Sequence, residues 1–451
     1  MARTVTREER ERMRYQAPEL REPSERRRQR KRQSKLMMFG DVPTLLLALA
    51  LSVLGILLIF TSGYAQSLRA AGNTIPREVI QQSLMLVIAL PMYLLAAARS
   101  TQFWRKTAVG IMLLTLAALA AVLFAPIGTD VNESRRWLDF GIFRIQPSEF
   151  AKASAIIFLA VTLVFRKPWV GPKKPPRSTL DWIDKVGLPK LKRMWPGFVV
   201  LAAIVLVELQ PDLGTAVVIT VIALTVFWVA GVSSKTLGII VAVAVVAAAL
   251  FAFAQPYRVA RMLNHSDRWS QQNIDDIGFQ TVHSEIAMAS GSVFGVGIGG
   301  GRAKHILPAS TTDFILTTAA EELGLIGMLV IITLTLCLCL RLIYLGLNSP
   351  SRFGMTVALG VAMWVAFQAC LNVGVANGTL PPIGKPYPFL SAGGSSLLAL
   401  WIGLGMAMSA LRSPVNLEQS DVPDRNRRRD RRARVSRDRG RTNRTRTRVR
   451  S

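Results

Sequence analysis

Ten apolar runs dominate the chain, near residues 43–63, 79–98, 107–126, 149–165, 197–209, 213–231, 237–255, 314–346, 354–376 and 390–411. Most approach the length, about 20 residues at about 1.5 Å rise each, that carries a helix across a bilayer. In hydrocarbon every backbone N–H and C=O needs a partner within the protein, so such runs fold as helices. The pattern predicts an all-α, polytopic integral membrane protein with about ten transmembrane helices, and it excludes a water-soluble globular enzyme. The fifth run is short, and the eighth is long enough to require trimming or tilt. An even number of crossings places both termini on one side.

Charge sharpens this picture. The chain carries 55 Lys plus Arg against 28 Asp plus Glu, a formal +27. Residues 1–40 hold 13 basic and 6 acidic side chains, and residues 412–451 hold 15 and 5. The chain therefore divides into a basic tail (1–40), a membrane domain (41–411) and an Arg-rich tail (412–451). Both tails are poor in aromatic residues and are expected to be disordered. Roughly forty polar residues ahead of the first apolar run do not read as a signal peptide.

Lys and Arg favour cytoplasmic loops. With the N-terminus inside, the inner loops hold Arg99, Arg105 and Lys106, then nine cations between Arg166 and Arg193, then Lys235, then Arg341 and Arg352. Both tails are then cytoplasmic. Anionic lipid headgroups are their nearest partner, at about 1 kcal/mol per cation near the surface; docking of a protein is the alternative, and a nucleic-acid role is not expected.

The exceptions lie outside. The outer loop 127–148 holds Arg135, Arg136 and Arg144, and the long outer segment 256–312 begins with Arg258 and Arg261. Cations on the disfavoured side call for an anionic partner, although short-loop statistics offer a plainer explanation. Two adjacent guanidinium groups, Arg135 and Arg136, suit phosphate or pyrophosphate oxygens. Downstream, Gln146-Pro147-Ser148-Glu149-Phe150-Ala151-Lys152 opens a span. Glu149 and Lys152 share a helix face at i,i+3 and can pair there. Either a salt bridge pinning the helix end or a ligand contact follows from that spacing.

A second cluster is Glu208-Leu209-Gln210-Pro211-Asp212-Leu213-Gly214-Thr215. Pro211 and Gly214 interrupt a hydrophobic stretch, which is tolerated at membrane depth where the break lines a cavity; a structural turn between two short spans is the competing reading. The third cluster is Ile306-Leu307-Pro308-Ala309-Ser310-Thr311-Thr312-Asp313-Phe314-Ile315, followed by Glu321-Glu322-Leu323-Gly324. Asp313 stands where the eighth span begins, on the outer side, where a carboxylate can act as a general base. Helix capping by Thr312 and dipole complementarity by Asp313 explain the same residues without catalysis. Glu321 lies about 12 Å further along the axis and requires a partner inside the bundle.

Three motifs are discounted. Gly295-Val296-Gly297-Ile298-Gly299-Gly300 fits G-x-G-x-x-G, but no strand-helix alternation surrounds it. His265, His283 and His305 are too far apart for local metal-ligand spacing. Cys337, Cys339 and Cys370 all lie inside apolar runs and build neither a disulfide framework nor a zinc site.

Together the motifs over residues 43–411 resemble the SEDS family (shape, elongation, division and sporulation), whose members include FtsW, RodA and SpoVE. The resemblance rests on Arg136-Trp137 with Gln146-Pro-Ser-Glu149-Phe-Ala-Lys152, on Gln210-Pro-Asp212-Leu-Gly214-Thr-Ala, on Leu307-Pro308 with Thr312-Asp313-Phe314-Ile315 and Glu321-Glu-Leu-Gly324, and on Asn377-Gly378-Thr-Leu-Pro381-Pro-Ile-Gly384 with Pro388-Phe-Leu-Ser391-Ala-Gly393-Gly-Ser-Ser396. It implies a peptidoglycan glycosyltransferase of the bacterial cytoplasmic membrane that polymerises lipid II on the outer face. It also implies work alongside a class B penicillin-binding protein and other division or elongation proteins.

The resemblance makes Asp313 the catalytic carboxylate and associates Trp137, Glu149 and Lys152 with activity. The 4-hydroxyl of an incoming N-acetylglucosamine must lose a proton as it attacks the anomeric carbon of a chain carried on undecaprenyl pyrophosphate. Asp313 is the candidate acceptor, and Arg135, Arg136, Arg258 and Arg261 are candidates to neutralise the departing pyrophosphate; Asp212 and Glu321 join them as candidate substrate-binding residues. A divalent cation such as Mg2+ is a candidate to share that task. Thr311 stands where a His is common in the family, Ser290-Gly291-Ser292 replaces a Gly pair, and Tyr387 stands where Leu is usual; these changes spare the carboxylate. Gly299-Gly-Gly-Arg-Ala-Lys304 and the long tails favour a septal member, and Phe143-Arg144-Ile145 an elongation member, with the septal reading preferred. A lipid II flippase and a division scaffold are the rival readings.

Overall fold

The computed structural model describes residues 40–71, 75–124, 128–131, 134–139, 144–166, 178–182, 184, 188, 194–253, 265–274, 276 and 278–413. Of the expected tails 1–40 and 412–451, residues 1–39 and 414–451 lie outside the described residues. Each of the ten apolar runs forms a helix. In chain order these are α1 (Val42–Ala71), α2 (Arg77–Ala98), α3 (Thr101–Phe124), α4 (Pro147–Val164), α5 (Trp195–Glu208), α6 (Leu213–Val229) and α7 (Ser234–Phe253). Within the segment 256–312 lies α8 (Phe279–Gly291), a helix beyond those ten, and then come α9 (Ile315–Leu347), α10 (Arg352–Ala376) and α11 (Gly394–Leu411). Seven of them are long and apolar enough to cross a membrane alone, whereas α5, α6 and Ser234–Val246 of α7 are shorter apolar helices. The chain is thus a polytopic, predominantly helical membrane protein.

The bundle sorts its helices by residue type. α4 is buried along almost its whole length, from Pro147 to Val161. α11, rich in Gly, Ala and Ser, is buried from Ser395 to Leu411 apart from Leu398 and Ile402. Small side chains let backbones approach closely where hydrocarbon gives no hydrophobic drive for helix association. α11 lies along α2, and α10 packs on α9, α6 and α11. Trp364 of α10 and Trp401 of α11 are fully buried, Trp364 against Gly403 of α11 and Trp401 edge-to-face with Tyr93 of α2 and with Phe389. Large side chains such as Leu113, Leu114, Val87 and Phe124 instead point outward. A bilayer is the solvent in which such an exposed apolar surface is stable.

Two features lie beyond what the apolar runs foretell. The loop between α3 and α4 contains a three-stranded antiparallel sheet, β1 (Gly128–Val131), β2 (Ser134–Asp139) and β3 (Arg144–Ile145). Leu138 pairs with Ile145 and Thr129 with Trp137. Alternation along β2 puts Arg136 on the face of buried Leu138, and Arg135 on the opposite face with Trp137.

The second feature is α8, inside the segment expected to be a loop. Its buried residues Thr281, Ser284, Ala287 and Gly291 recur every three to four positions, a stripe laid against α9. The stripe is too polar and short to register as an apolar run. α9 itself resolves the length problem of the eighth span, because it is broken at Gly324, where φ is +70°. Ser292 to Gly297 enter the break: Val296 and Gly297 donate N–H to the carbonyls of Glu321 and Glu322, and Leu325 and Ile326 donate to Ser292 and Val293. A Cβ on Gly324 would stand 2.3 Å from Gly295 N, so both its backbone conformation and its surroundings require glycine.

Candidate functional site

Asp313 closes a turn that precedes α9. Phe314, fully buried, anchors the turn, and its N–H, like that of Thr312, donates to Ala309 O at 3.1 Å. Thr312 does not cap α9; its hydroxyl donates to Ala309 O at 3.3 Å. Asp313 is half-buried.

The turn is fastened to the loop that leads into α11. Ser391 Oγ donates to Thr312 O at 2.6 Å, and Ala392 N–H donates to Thr311 O at 2.9 Å. From α10, the Asn372 amide donates to both Asp313 O and Lys385 O, each at 2.8 Å. A Cβ on Gly384 would come to 3.8 Å from Asp313 Oδ2, so this loop forms one wall beside the carboxylate.

The break between α5 and α6 supplies the next part. Asp212 caps α6, accepting from Thr215 N–H at 3.1 Å and from Thr215 Oγ1 at 2.8 Å. Its carboxylate also forms a buried ion pair with Lys385 Nζ at 2.6 Å. Burial pushes the Asp212 carboxyl up, but the Lys385 and Arg136 charges, with hydrogen bonds from Lys385 and Thr215 N–H, outweigh it and hold it down to about 2. The Lys385 ammonium further donates to Thr215 Oγ1, and its stem lies on Gly214, where a Cβ would meet it at 2.5 Å. Gln146 Nε2 and Ser148 Oγ reach Asp212 Oδ2 from α4 at 3.4 Å.

Arg136 ties the sheet to the same break, donating from Nε to Gln210 O at 3.1 Å and from a terminal nitrogen to Pro211 O. Arg135 is exposed and Trp137 half-buried, both on the opposite face of β2. Glu149 and Lys152 pair at 2.8 Å as their spacing predicts, and both are buried. Lys152 continues to Gln368 Oε1 at 2.9 Å, with its ammonium 5.1 Å from the Trp364 ring centre. Gln368 Nε2 in turn donates to Pro386 O at 2.9 Å.

Arg136, Glu149, Lys152, Asp212 and Asp313 are therefore brought into one connected network. Glu321 lies apart from it. Its two oxygens accept N–H from Arg302 and Ala303 at 2.8 and 3.0 Å, while buried Glu322 pairs with Lys304 at 2.6 Å. Both carboxylates thus hold the glycine-rich segment against the break in α9. Arg258 and Arg261 lie outside the described residues. Sequence reasoning passed over Lys385, Gln368 and Asn372. Polar side chains inside the apolar run of α10, and a cation inside the Pro381–Phe389 motif, were the signals available.

Among the described residues no three His, Cys, Asp or Glu side chains come together to hold a metal ion. His265 meets Gly378 O at 3.1 Å and His283 meets Phe279 O at 2.8 Å. The Gly295–Gly300 segment serves the α9 break, and the three cysteines are free thiols.

A helical membrane bundle with a buried polar network at one end, joined to a half-buried carboxylate at a helix entrance, defines an integral membrane protein with a candidate site for a polar or amphiphilic ligand. The chain belongs to the FtsW/RodA/SpoVE family of cell cycle proteins, whose model matches residues 42–415. A probable peptidoglycan glycosyltransferase FtsW of Pseudomonas fluorescens is 33% identical over 379 residues, covering 82% of this chain and 87% of the relative. One of Saccharophagus degradans is 35% identical over 343 residues, covering 74% and 79%. Among solved structures, a chain of a peptidoglycan synthase complex, studied for how polymerization and crosslinking are coordinated, is similar with a TM-score of 0.62 and 26% identity over 85% of this chain and 99% of its own. The rod shape determining protein RodA of Thermus thermophilus gives a TM-score of 0.56 and 25% identity, covering 85% and 98%.

Proposed function

We propose that the chain is a peptidoglycan glycosyltransferase that polymerises lipid II for septal wall synthesis, with Asp313 as the general base. The observation that carries this reading is the convergence on Asp313: the turn that bears it is bonded to α10 and to the loop before α11, and that loop is bonded to the α5–α6 break and, through Gln368, to the Glu149–Lys152 pair. A base must be held at a fixed place relative to the hydroxyl it deprotonates. The similarity to curated FtsW proteins supports both the chemistry and the division role.

In this mechanism Asp313 accepts the proton of the acceptor sugar's 4-hydroxyl as that oxygen attacks the anomeric carbon of the growing strand, and undecaprenyl pyrophosphate departs. Arg135, exposed on β2, is assigned to the pyrophosphate, and Arg258 and Arg261 are assigned to it from sequence alone. Arg136 anchors the sheet through Gln210 and Pro211 and adds its charge to the site. The active side is extracytoplasmic and both termini are cytoplasmic, an orientation supported by the loop cations. A class B penicillin-binding protein is the crosslinking partner, supported by likeness to a chain of a synthase complex. The basic tails engage anionic lipid on the inner surface.

The test is purified protein with such a partner and labelled lipid II. Glycan strands are expected, and lipid II movement across liposomes with no polymer under any condition would identify a transporter instead.

A further inference from the structure

Lys385 is buried, lies inside a motif otherwise made of Pro, Gly and apolar residues, and belongs to none of the groups that touch substrate in the proposed reaction. Removing an ammonium from water is costly unless it is paired and hydrogen-bonded. Here the pairing reaches across the bundle. The Lys385 side chain binds Asp212 and Thr215 at the start of α6, 170 residues away from Thr215 in sequence. Its backbone carbonyl shares the Asn372 amide with the carbonyl of Asp313. On either side, Gly384 walls the Asp313 carboxylate and Pro386 O accepts from Gln368, the acceptor of Lys152. Residues 384–386 are thus tied to Asp212 and Thr215 at the start of α6, to Asn372, and to Gln368, the acceptor of Lys152.

We propose that Lys385 is a positioning residue: its ion pair with Asp212 fixes the 384–386 turn, and through Asn372 that turn fixes the backbone of Asp313. Resting on the glycosyltransferase reading, this adds a cause for the base's placement. A displacement of about 1 Å in a reacting group can cost on the order of 100-fold in rate. A group that acts only by placing the base is felt in the transition state, so kcat falls while KM holds.

The experiment compares the full chain, in complex with its partner, with Lys385→Met and Lys385→Arg. The expected result is a kcat roughly 10-fold or more lower for Lys385→Met at nearly unchanged KM, with partial recovery in Lys385→Arg. Amide hydrogen exchange over residues 307–316 is expected to quicken in Lys385→Met although the substitution lies some seventy residues away in sequence. Exchange needs no substrate, so it decides the positioning question even if the wild type makes no polymer, a result that would sink the glycosyltransferase reading alone. If Lys385→Met does not fold, Lys385→Met/Asp212→Asn replaces it, since it leaves no unpaired buried charge. Wild-type kcat per folded molecule, or unaltered exchange over 307–316, overturns the inference.

Discussion

The side-chain amide of Asn372 donates to the backbone carbonyl of Asp313 at 2.8 Å, across 59 residues of sequence. Because the same amide holds Lys385 O, one group in α10 sets the separation between Asp313 and the loop beside it. Asn372 is fully buried, so its loss leaves both carbonyls without that donor. Asn372→Ala is expected to destabilise the protein by about 1–3 kcal/mol and to lower polymerisation by more than the lost folded fraction. Thermal unfolding in detergent and turnover per folded molecule check the two parts separately.

Glu149 and Lys152 form a buried pair, in which truncating one partner strands a charge. Lys152→Met is expected to cost about 3–5 kcal/mol, and Glu149→Leu/Lys152→Met to recover most of that stability. The double variant still lacks the donor to Gln368, so its activity should stay low. Equal recovery of stability and turnover would show that the pair serves only to hold α4.

The break in α9 depends on Gly324. Gly324→Ala forces a side chain into a backbone conformation it avoids and against Gly295 N, at a cost of about 1–3 kcal/mol or more. Protease nicking between residues 292 and 301 is expected to rise first, because those residues enter the break.

Asp212 predicts a pH dependence. Its folded carboxyl titrates at about 2 against an ordinary 3.8, so the native state favours its charged form. The stability it contributes is complete above pH 3.8 and disappears as pH falls towards 2. Asp212→Asn should remove that part of the acid transition, read as unfolding in detergent against pH, while leaving the transition of other carboxylates in place.

How much of this was legible beforehand varies by element, for physical reasons. All ten helices of the apolar runs could be read, because a bilayer favours long apolar runs, and seven of them are long and apolar enough to cross a membrane alone. The Glu149–Lys152 pair could be read as well, because i,i+3 contacts are local. The β sheet was hidden, because its strands are two to six residues long. α8 was missed because its buried stripe contains Thr, Ser and Gly rather than large apolar residues. Glu321 drew attention as a charge within a span, but the backbone N–H groups that meet it come from Arg302 and Ala303, a partnership no spacing rule indicates. The ties from Lys385 to Asp212 and from Asn372 to Asp313 are long-range and emerge only once α6, α9, α10 and the loop before α11 are packed together.

The most direct test of the central claim is polymerisation of labelled lipid II by the Asp313→Asn variant in complex with the proposed penicillin-binding partner. Asn keeps the shape of Asp and removes the proton-accepting carboxylate. The account predicts no glycan strands above background, with folding and complex formation equal to wild type; strands at the wild-type rate would contradict it.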